Sequence, residues 1–191
     1  MLTKGVQIEH RSVVNFLESM RSEPGISERD TLLAVTTISF DISVLELYLP
    51  LTTGATVVLV SRETTSDGKQ LAKVLSESGI TIMQATPATW RLLIEAGWQG
   101  DKKLKILCGG EAMPRDLAEQ LLERSSSLWN MYGPTETTIW SAVYLVESEV
   151  GSVPVGGPIA NTQIYILDQK KKSSTLIHRS GRVVLPRVLR P

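Results

Sequence analysis

Short apolar runs rich in β-branched residues alternate along this chain with longer stretches in which apolar side chains recur every three or four positions. Runs of the first kind are TLLAVTTI (31–38), ATVVLV (55–60), ITIM (80–83) and LKILC (104–108), and each predicts a buried strand. Runs of the second kind predict helices. VVNFLESM places Val13, Phe16, Leu17 and Met20 on one face, and ISVLELYLPL does the same for Val44, Leu47, Tyr48 and Leu51. LAKVLSES and ATWRLLIEAG repeat the pattern. RDLAEQLLER follows Pro114, a residue suited to a first helical position. Gly54, Gly79 and Gly97 fall where helices should stop.

Strand and helix in alternation imply βαβ units, so the expected fold is α/β, with mostly parallel strands flanked by helices. Sheets of this kind hold ligands beyond the carboxyl ends of their strands. The loops after 38, 83, 108 and 132 are therefore where chemistry is expected.

Composition narrows the partners more than the fold. Lys plus Arg and Asp plus Glu both number 20, which gives no reason to expect nucleic acid or an anionic membrane surface. The single cysteine, Cys108, excludes a disulfide within the chain and suits a reducing compartment. No apolar run reaches the ~18 residues of a membrane span, and the N-terminus has no signal-peptide pattern, so a soluble cytoplasmic protein is expected. The sequence shows no internal repeat. Residues 169–191 change character: they are basic, carry no acidic residue after Gln169 and show no amphipathic period, which reads as a basic tail.

Three of the expected loops carry candidate chemistry. SFDIS (39–43) opens a helix with Asp41 near its start, either as a cap or as a carboxylate for a cationic group of a ligand. CGGEAMP (108–114) puts two glycines after a strand, where backbone can approach a ligand closely. NMYGPTETTIW (130–140) sets a flat tyrosine ring before Gly-Pro and follows it with Glu136, a carboxylate suited to a hard metal ion.

Together these segments resemble the adenylation (AMP-binding) domain of nonribosomal peptide synthetases, within the adenylate-forming ligase superfamily. The resemblance rests on KGVQIEHRSVVNFL (4–17), FDIS (40–43), ATPATW (85–90), CGGE (108–111), NMYGPTETTIW (130–140) and VPVGGPIANTQIYILD (153–168). It implies a partial AMP-binding domain over 1–168. It also implies use of ATP and Mg2+ to convert an amino acid to an aminoacyl adenylate and pyrophosphate, with transfer of the acyl group to the phosphopantetheine thiol of a carrier domain. Carrier and condensation domains would be its partners. On the matching positions, Gly110, Glu111, Asn130, Tyr132, Gly133 and Thr135 would bind the nucleotide, with Tyr132 stacked on adenine and Thr135 at the α-phosphate. Thr135 and Glu136 would be the catalytic pair and Glu136 the metal ligand. Asp41 would bind the substrate ammonium group.

The resemblance extends to the substrate. Asp41, Ile42, Leu45, Gln84, Leu107, Gly109, Met131, Ile139 and Trp140 match the family's side-chain pocket, with Ala85 in place of Gln84 if the loop before Pro87 aligns one residue later. Large walls and no counter-charge beyond Asp41 leave little space, and the set is similar to the family's signature for glycine. Leu45, Leu107 and Ile139 would look the same as ordinary core residues. An acyl-CoA or aryl-acid ligase shares the fold but would leave Asp41 without a cationic partner. A non-catalytic remnant that only binds a ligand or a partner is the other alternative.

The family's glycine-rich phosphate loop is expected before KGV, and its ribose-binding Asp and catalytic Lys after IYILD; their absence from these 191 residues predicts an internal fragment that is inactive alone. Codons for Ile177-His178-Arg179 and for Pro186 to Pro191 can, shifted by one base, encode Tyr-Ile-Gly and Arg-Gly-Tyr-Phe-Asp, which the family places there. The Lys170–Lys172 run offers a point of slippage, so the tail is read as frameshifted or disordered.

Overall fold

The computed structural model describes residues 5–167 and 182–184. The strands of the main sheet are β1 (Thr31–Ala34), β2 (Thr56–Leu59), β3 (Ile82–Ala85), β4 (Lys105–Gly109), β5 (Ser127–Tyr132), β6 (Ala142–Leu145) and β7 (Gly157–Pro158). They lie in the order β2-β1-β3-β4-β5-β6-β7. The first five are parallel, and β6 and β7 continue the sheet antiparallel. A second sheet pairs β8 (Tyr165–Leu167) with β9 (Arg182–Val184). Apart from β9, the reading of 169–191 as a tail concerns residues outside those described. No described helix is long and apolar enough to cross a membrane.

The helices are α1 (His10–Met20), α2 (Ser43–Thr53), α3 (Arg62–Thr65), α4 (Gly68–Glu77), α5 (Pro87–Glu95) and α6 (Arg115–Leu122). Local chemistry sets several starts. Asp67 accepts hydrogen bonds from the Lys69 and Gln70 amides at the start of α4. Thr86 caps α5, and Pro87 follows at the position where its missing N–H costs nothing. Pro114 is the N-cap of α6, one residue earlier than its expected place inside the helix. Gly54 takes positive φ directly after α2, and Gly79 and Gly97 do so one residue past the ends of α4 and α5, where the helices stop as expected.

Strand order explains where the helices go. The chain moves one way from β1 to β2, then reverses and steps through β3, β4 and β5. With crossovers of one hand, reversal places α2 on one face of the sheet and α4, α5 and α6 on the other. The core divides accordingly. Leu33, Met83, Ile106, Cys108 and Leu128 meet Leu71, Trp90, Leu93, Leu117 and Leu121 on one side. Leu32, Ala34, Ile82, Leu107, Trp129 and Met131 meet Phe16, Met20, Leu45 and Leu49 on the other. Alternate residues of each strand serve opposite layers.

Three sequence expectations are corrected. The run ATVVLV (55–60), expected as a buried strand, forms the edge strand β2, with Thr56 and Leu59 exposed because no described strand or helix covers that edge. The strand expected over 31–38 ends at Ala34. The amides of Val35 and Thr36 leave the ladder and donate to the Glu46 carboxylate, 2.8 Å each. The face expected for α2 is rotated: Tyr48 and Leu51 are exposed, while Leu45, Glu46 and Leu49 are buried. The rotation follows Glu46, whose carboxylate finds enough donors inside to be buried.

Candidate functional site

In an open sheet of this order the crevice opens where the strand sequence reverses, here between the ends of β1 and β3. Asp41 lies in the loop leaving β1, and the loop leaving β3 begins at Thr86. Asp41 does not cap α2: the N-cap is Ile42, with no side-chain cap, and the Asp41 backbone carbonyl takes the Val44 amide. Among the described residues the half-buried Asp41 carboxylate takes no hydrogen bond and no ion pair. It is available to a cation from outside the chain.

Beside it, Gln84 is fully buried in β3 on the α2 face. Its Nε2 donates to the Ile42 carbonyl (3.0 Å) and to Glu46 Oε1 (2.9 Å). Its Oε1 accepts from Trp140 Nε1 at 2.7 Å. Ile42, Leu45, Leu107, Met131, Ile139 and Trp140 pack in one cluster on this face. Gly109 lies under the Trp140 ring: a Cβ there would meet Trp140 Cη2 at 2.8 Å and the Met131 carbonyl oxygen at 2.6 Å. Eight of the nine residues matched to the side-chain pocket thus meet around Gln84 and Trp140, and Asp41 adjoins them in sequence next to Ile42.

The loop that delivers Trp140 has unusual backbone. Thr138 and Ile139 both take positive φ (73° and 67°), a conformation costly for residues with a Cβ, and more so for β-branched ones. It persists because the surroundings over-determine it. Ser141 N donates to the Tyr132 carbonyl at 2.7 Å, and Ser141 Oγ lies 2.6 Å from Thr137 Oγ1. Gly133 admits this bend, since a Cβ there would come within 2.4 Å of the Ile139 carbonyl oxygen.

The residues matched to the nucleotide lie at the same end of the sheet. Gly110 and Glu111 are exposed just past β4, and Tyr132 ends β5 with 37% of its surface exposed. Thr135 and Glu136 sit exposed in the short 3-10 turn Thr135–Thr137. Asn130 is buried, and its Nδ2 donates to the Pro154 carbonyl (2.7 Å), which ties β5 to the loop between β6 and β7. Cys108 is buried, and burial together with nearby Glu111 pushes its thiol up to about 12. It is an apolar wall residue in chemical behaviour. No group of three or more His, Cys, Asp or Glu able to hold a metal ion occurs among the described residues. A magnesium ion at Glu136 would take its other ligands from phosphate oxygens and water, as Mg2+ commonly does.

Sequence reasoning missed Glu46. Burial raises its carboxyl above the ordinary value, and hydrogen bonds from Thr36, Gln84 and Val35 oppose that rise. The signal was an acid between Leu45 and Leu47 in a helix of otherwise apolar and small side chains.

A family model described as AMP-binding enzyme matches residues 2–185. The chain is 48% identical over 166 residues to a dimodular nonribosomal peptide synthase of Bacillus subtilis, a match covering 86% of this chain and 7% of that protein. It is 45% identical over 166 residues to the PKS-NRPS hybrid synthetase acdB of Aspergillus candidus, again with 86% and 7% covered. Among solved structures it is similar to a four-domain nonribosomal peptide synthetase bound to AMP and glycine. There the identity is 47% and the TM-score 0.85, with 89% of this chain and 13% of that one covered. The chain therefore belongs to the AMP-binding enzymes, as part of a nonribosomal peptide synthetase adenylation domain.

Proposed function

We propose that this chain forms the amino-acid and adenine subsites of an adenylation domain that activates glycine. The observation that carries the reading is the pairing of a free carboxylate, Asp41, with a side-chain subsite already filled by protein. Leu107, Met131 and Trp140 are each 2% exposed and Leu45 is 0%, which supports a subsite with little room for a substrate side chain. Close packing makes even one added methyl felt. The bound glycine and AMP of the 47% identical structural neighbour support the same choice.

In this reading Asp41 pairs with the substrate ammonium group, which gives that charge a partner away from bulk water. A carboxylate oxygen of glycine attacks the α-phosphorus of ATP, and the bond to pyrophosphate breaks. The thiol of phosphopantetheine on a carrier domain then attacks the acyl carbon, and AMP leaves. Such a reaction depends on positioning and charge stabilisation. Tyr132 offers its ring to adenine, and backbone at Gly110 and Glu111 lines the adenine edge. Thr135 contacts the α-phosphate, and Glu136 holds Mg2+. Condensation and carrier domains of the larger synthetase are its partners.

The test is ATP–pyrophosphate exchange by the synthetase that carries this chain, with glycine, alanine and larger amino acids. Glycine should be preferred over alanine by roughly 10–200-fold in kcat/KM, the range a methyl group confers. Trp140→Ala should shift preference toward larger side chains. Unchanged glycine selectivity in that variant, or wild-type preference for a bulky amino acid, overturns the assignment.

A further inference from the structure

Glu46 is buried, yet the roles assigned above leave it unused. Its Oε2 accepts from the Val35 and Thr36 amides, 2.8 Å each. Its Oε1 accepts from Thr36 Oγ1 (2.6 Å) and Gln84 Nε2 (2.9 Å). A carboxylate accepts and never donates, so these four partners suit its ionised form. The consequence falls on Gln84, whose carboxamide has a donor end and an acceptor end. With the Glu46 carboxylate and the Ile42 carbonyl on one side, the NH2 end must face them. The oxygen is then left for the Trp140 indole N–H.

We propose that Glu46 is a positioning residue for substrate selection: it fixes the orientation of the Gln84 amide, which holds the Trp140 ring over Gly109 and keeps the side-chain subsite closed. By taking the Val35 and Thr36 amides, the same carboxylate also turns the chain out of β1 into the loop that bears Asp41. Both halves of the substrate site therefore depend on one buried charge. This inference rests on the reading of the site as a small amino-acid subsite.

Glu46→Gln tests it, because glutamine keeps the shape and changes the polarity. If its oxygen stays on the two backbone amides, its NH2 faces the Gln84 NH2. Gln84 can relieve that clash by flipping, but the flip sets its NH2 against the Trp140 N–H and its oxygen against the Ile42 carbonyl oxygen. Part of the mismatch travels to Trp140, and Trp140→Phe removes that part, leaving the one at the Ile42 carbonyl. Residues 46 and 140 share no hydrogen bond, and each bonds Gln84, which is the polar route between them.

The measurement is kcat/KM for alanine and glycine in the full synthetase, for the wild type, E46Q, W140F, the double variant and T36V. E46Q should raise the alanine-to-glycine ratio on the order of tenfold. The double variant should fall well short of the product of the two single changes. T36V removes one donor without turning the amide and should leave the ratio unchanged. An equal fall for both amino acids in E46Q, or multiplicative effects in the double variant, overturns the proposal.

If E46Q fails to fold, recovery of folded protein in E46Q/W140F supports the relay, and failure of both overturns it. Hydrogen exchange by mass spectrometry supplies a readout independent of the reaction. Peptides covering 138–146 should exchange faster in E46Q and not in T36V, even if the wild type activates neither amino acid. That last result would refute the substrate reading while leaving the relay intact, whereas unaltered exchange in E46Q would refute the relay alone.

Discussion

Gly109 has no room for a side chain, and the reason is the residue that closes the candidate subsite. An alanine Cβ would press on the Met131 carbonyl oxygen at 2.6 Å and on the Trp140 ring at 2.8 Å. The indole can move aside, but the Met131 contact is to backbone, so β4 and β5 must also shift apart. Gly109→Ala should cost about 1–3 kcal/mol of stability, the usual range for overpacking, and should weaken glycine activation more than that loss alone explains. Urea unfolding and pyrophosphate exchange on the same variant separate the two effects. Full activity with unchanged stability would show that Trp140 does not rest on Gly109. One residue earlier, Cys108 points into the opposite layer, and its thiol is pushed up to about 12. Native protein should resist iodoacetamide at pH 8 and react only after unfolding, since the thiolate is the reactive form. Rapid labelling of folded protein would contradict the burial.

The segment 133–141 links β5 to β6 through backbone that few sequences can adopt. Gly133→Ala would force a Cβ to within 2.4 Å of the Ile139 carbonyl oxygen and 2.7 Å of the Ser141 amide. Both contacts are to backbone, so the whole turn must shift and carry Thr135, Glu136 and Trp140 with it. A loss of about 2–4 kcal/mol is expected, together with loss of both nucleotide and amino-acid binding, readable by calorimetry with an adenylate analogue. Gly133→Ala with normal binding would mean that the turn does not set the site. This element also marks how far the sequence could be read. YGPTE announced a special turn because Tyr, Gly, Pro and Glu together exceed what a plain reversal needs. Four of the five parallel strands were legible as short apolar runs, β3 two residues out of place, whereas β5 (SLWNMY) lacks the β-branched run that marks the others. The rotated α2 was not. Amphipathic counting assumes that charge faces water, and the four donors that reverse this for Glu46 come from residues 10 to 38 positions away. Likewise, the end of β1 at Ala34 follows from a side chain on the next helix, which no local window contains.

The two ends of the sheet are held by buried or half-buried carboxylates that respond to pH in opposite senses. At the carboxyl end, burial raises Glu46, so its contribution is greatest below its unfolded value and falls as pH rises through its folded one. At the amino end, Asp30 joins the entries of β1 and β3: its Oδ1 accepts from Thr81 Oγ1 (2.8 Å), and its Oδ2 accepts from the Ser27 amide (2.7 Å) and hydroxyl (2.9 Å). Lys105, at the start of β4, adds its charge and donates to the Pro24 carbonyl at 2.8 Å. Desolvation pushes the Asp30 carboxyl up, but the hydrogen bonds from Thr81 and Ser27, with Lys105, outweigh it and hold it below the ordinary aspartate value. A lowered carboxyl stabilises the fold above its unfolded value and loses that stabilisation as pH falls through the folded value. Asp30→Asn should therefore cost on the order of 1 kcal/mol at pH 7, a modest figure because the group is only half-buried and solvent screens it. Subtracting the variant's urea-unfolding free energy from that of the wild type at each pH cancels Glu46 and every other shared group. The difference should be flat above about pH 5 and shrink as acid protonates Asp30. A difference that grows toward low pH would mean that Asp30 is destabilised by its setting, and that the sheet's amino end is held by backbone pairing of Thr31, Thr81 and Lys105 alone.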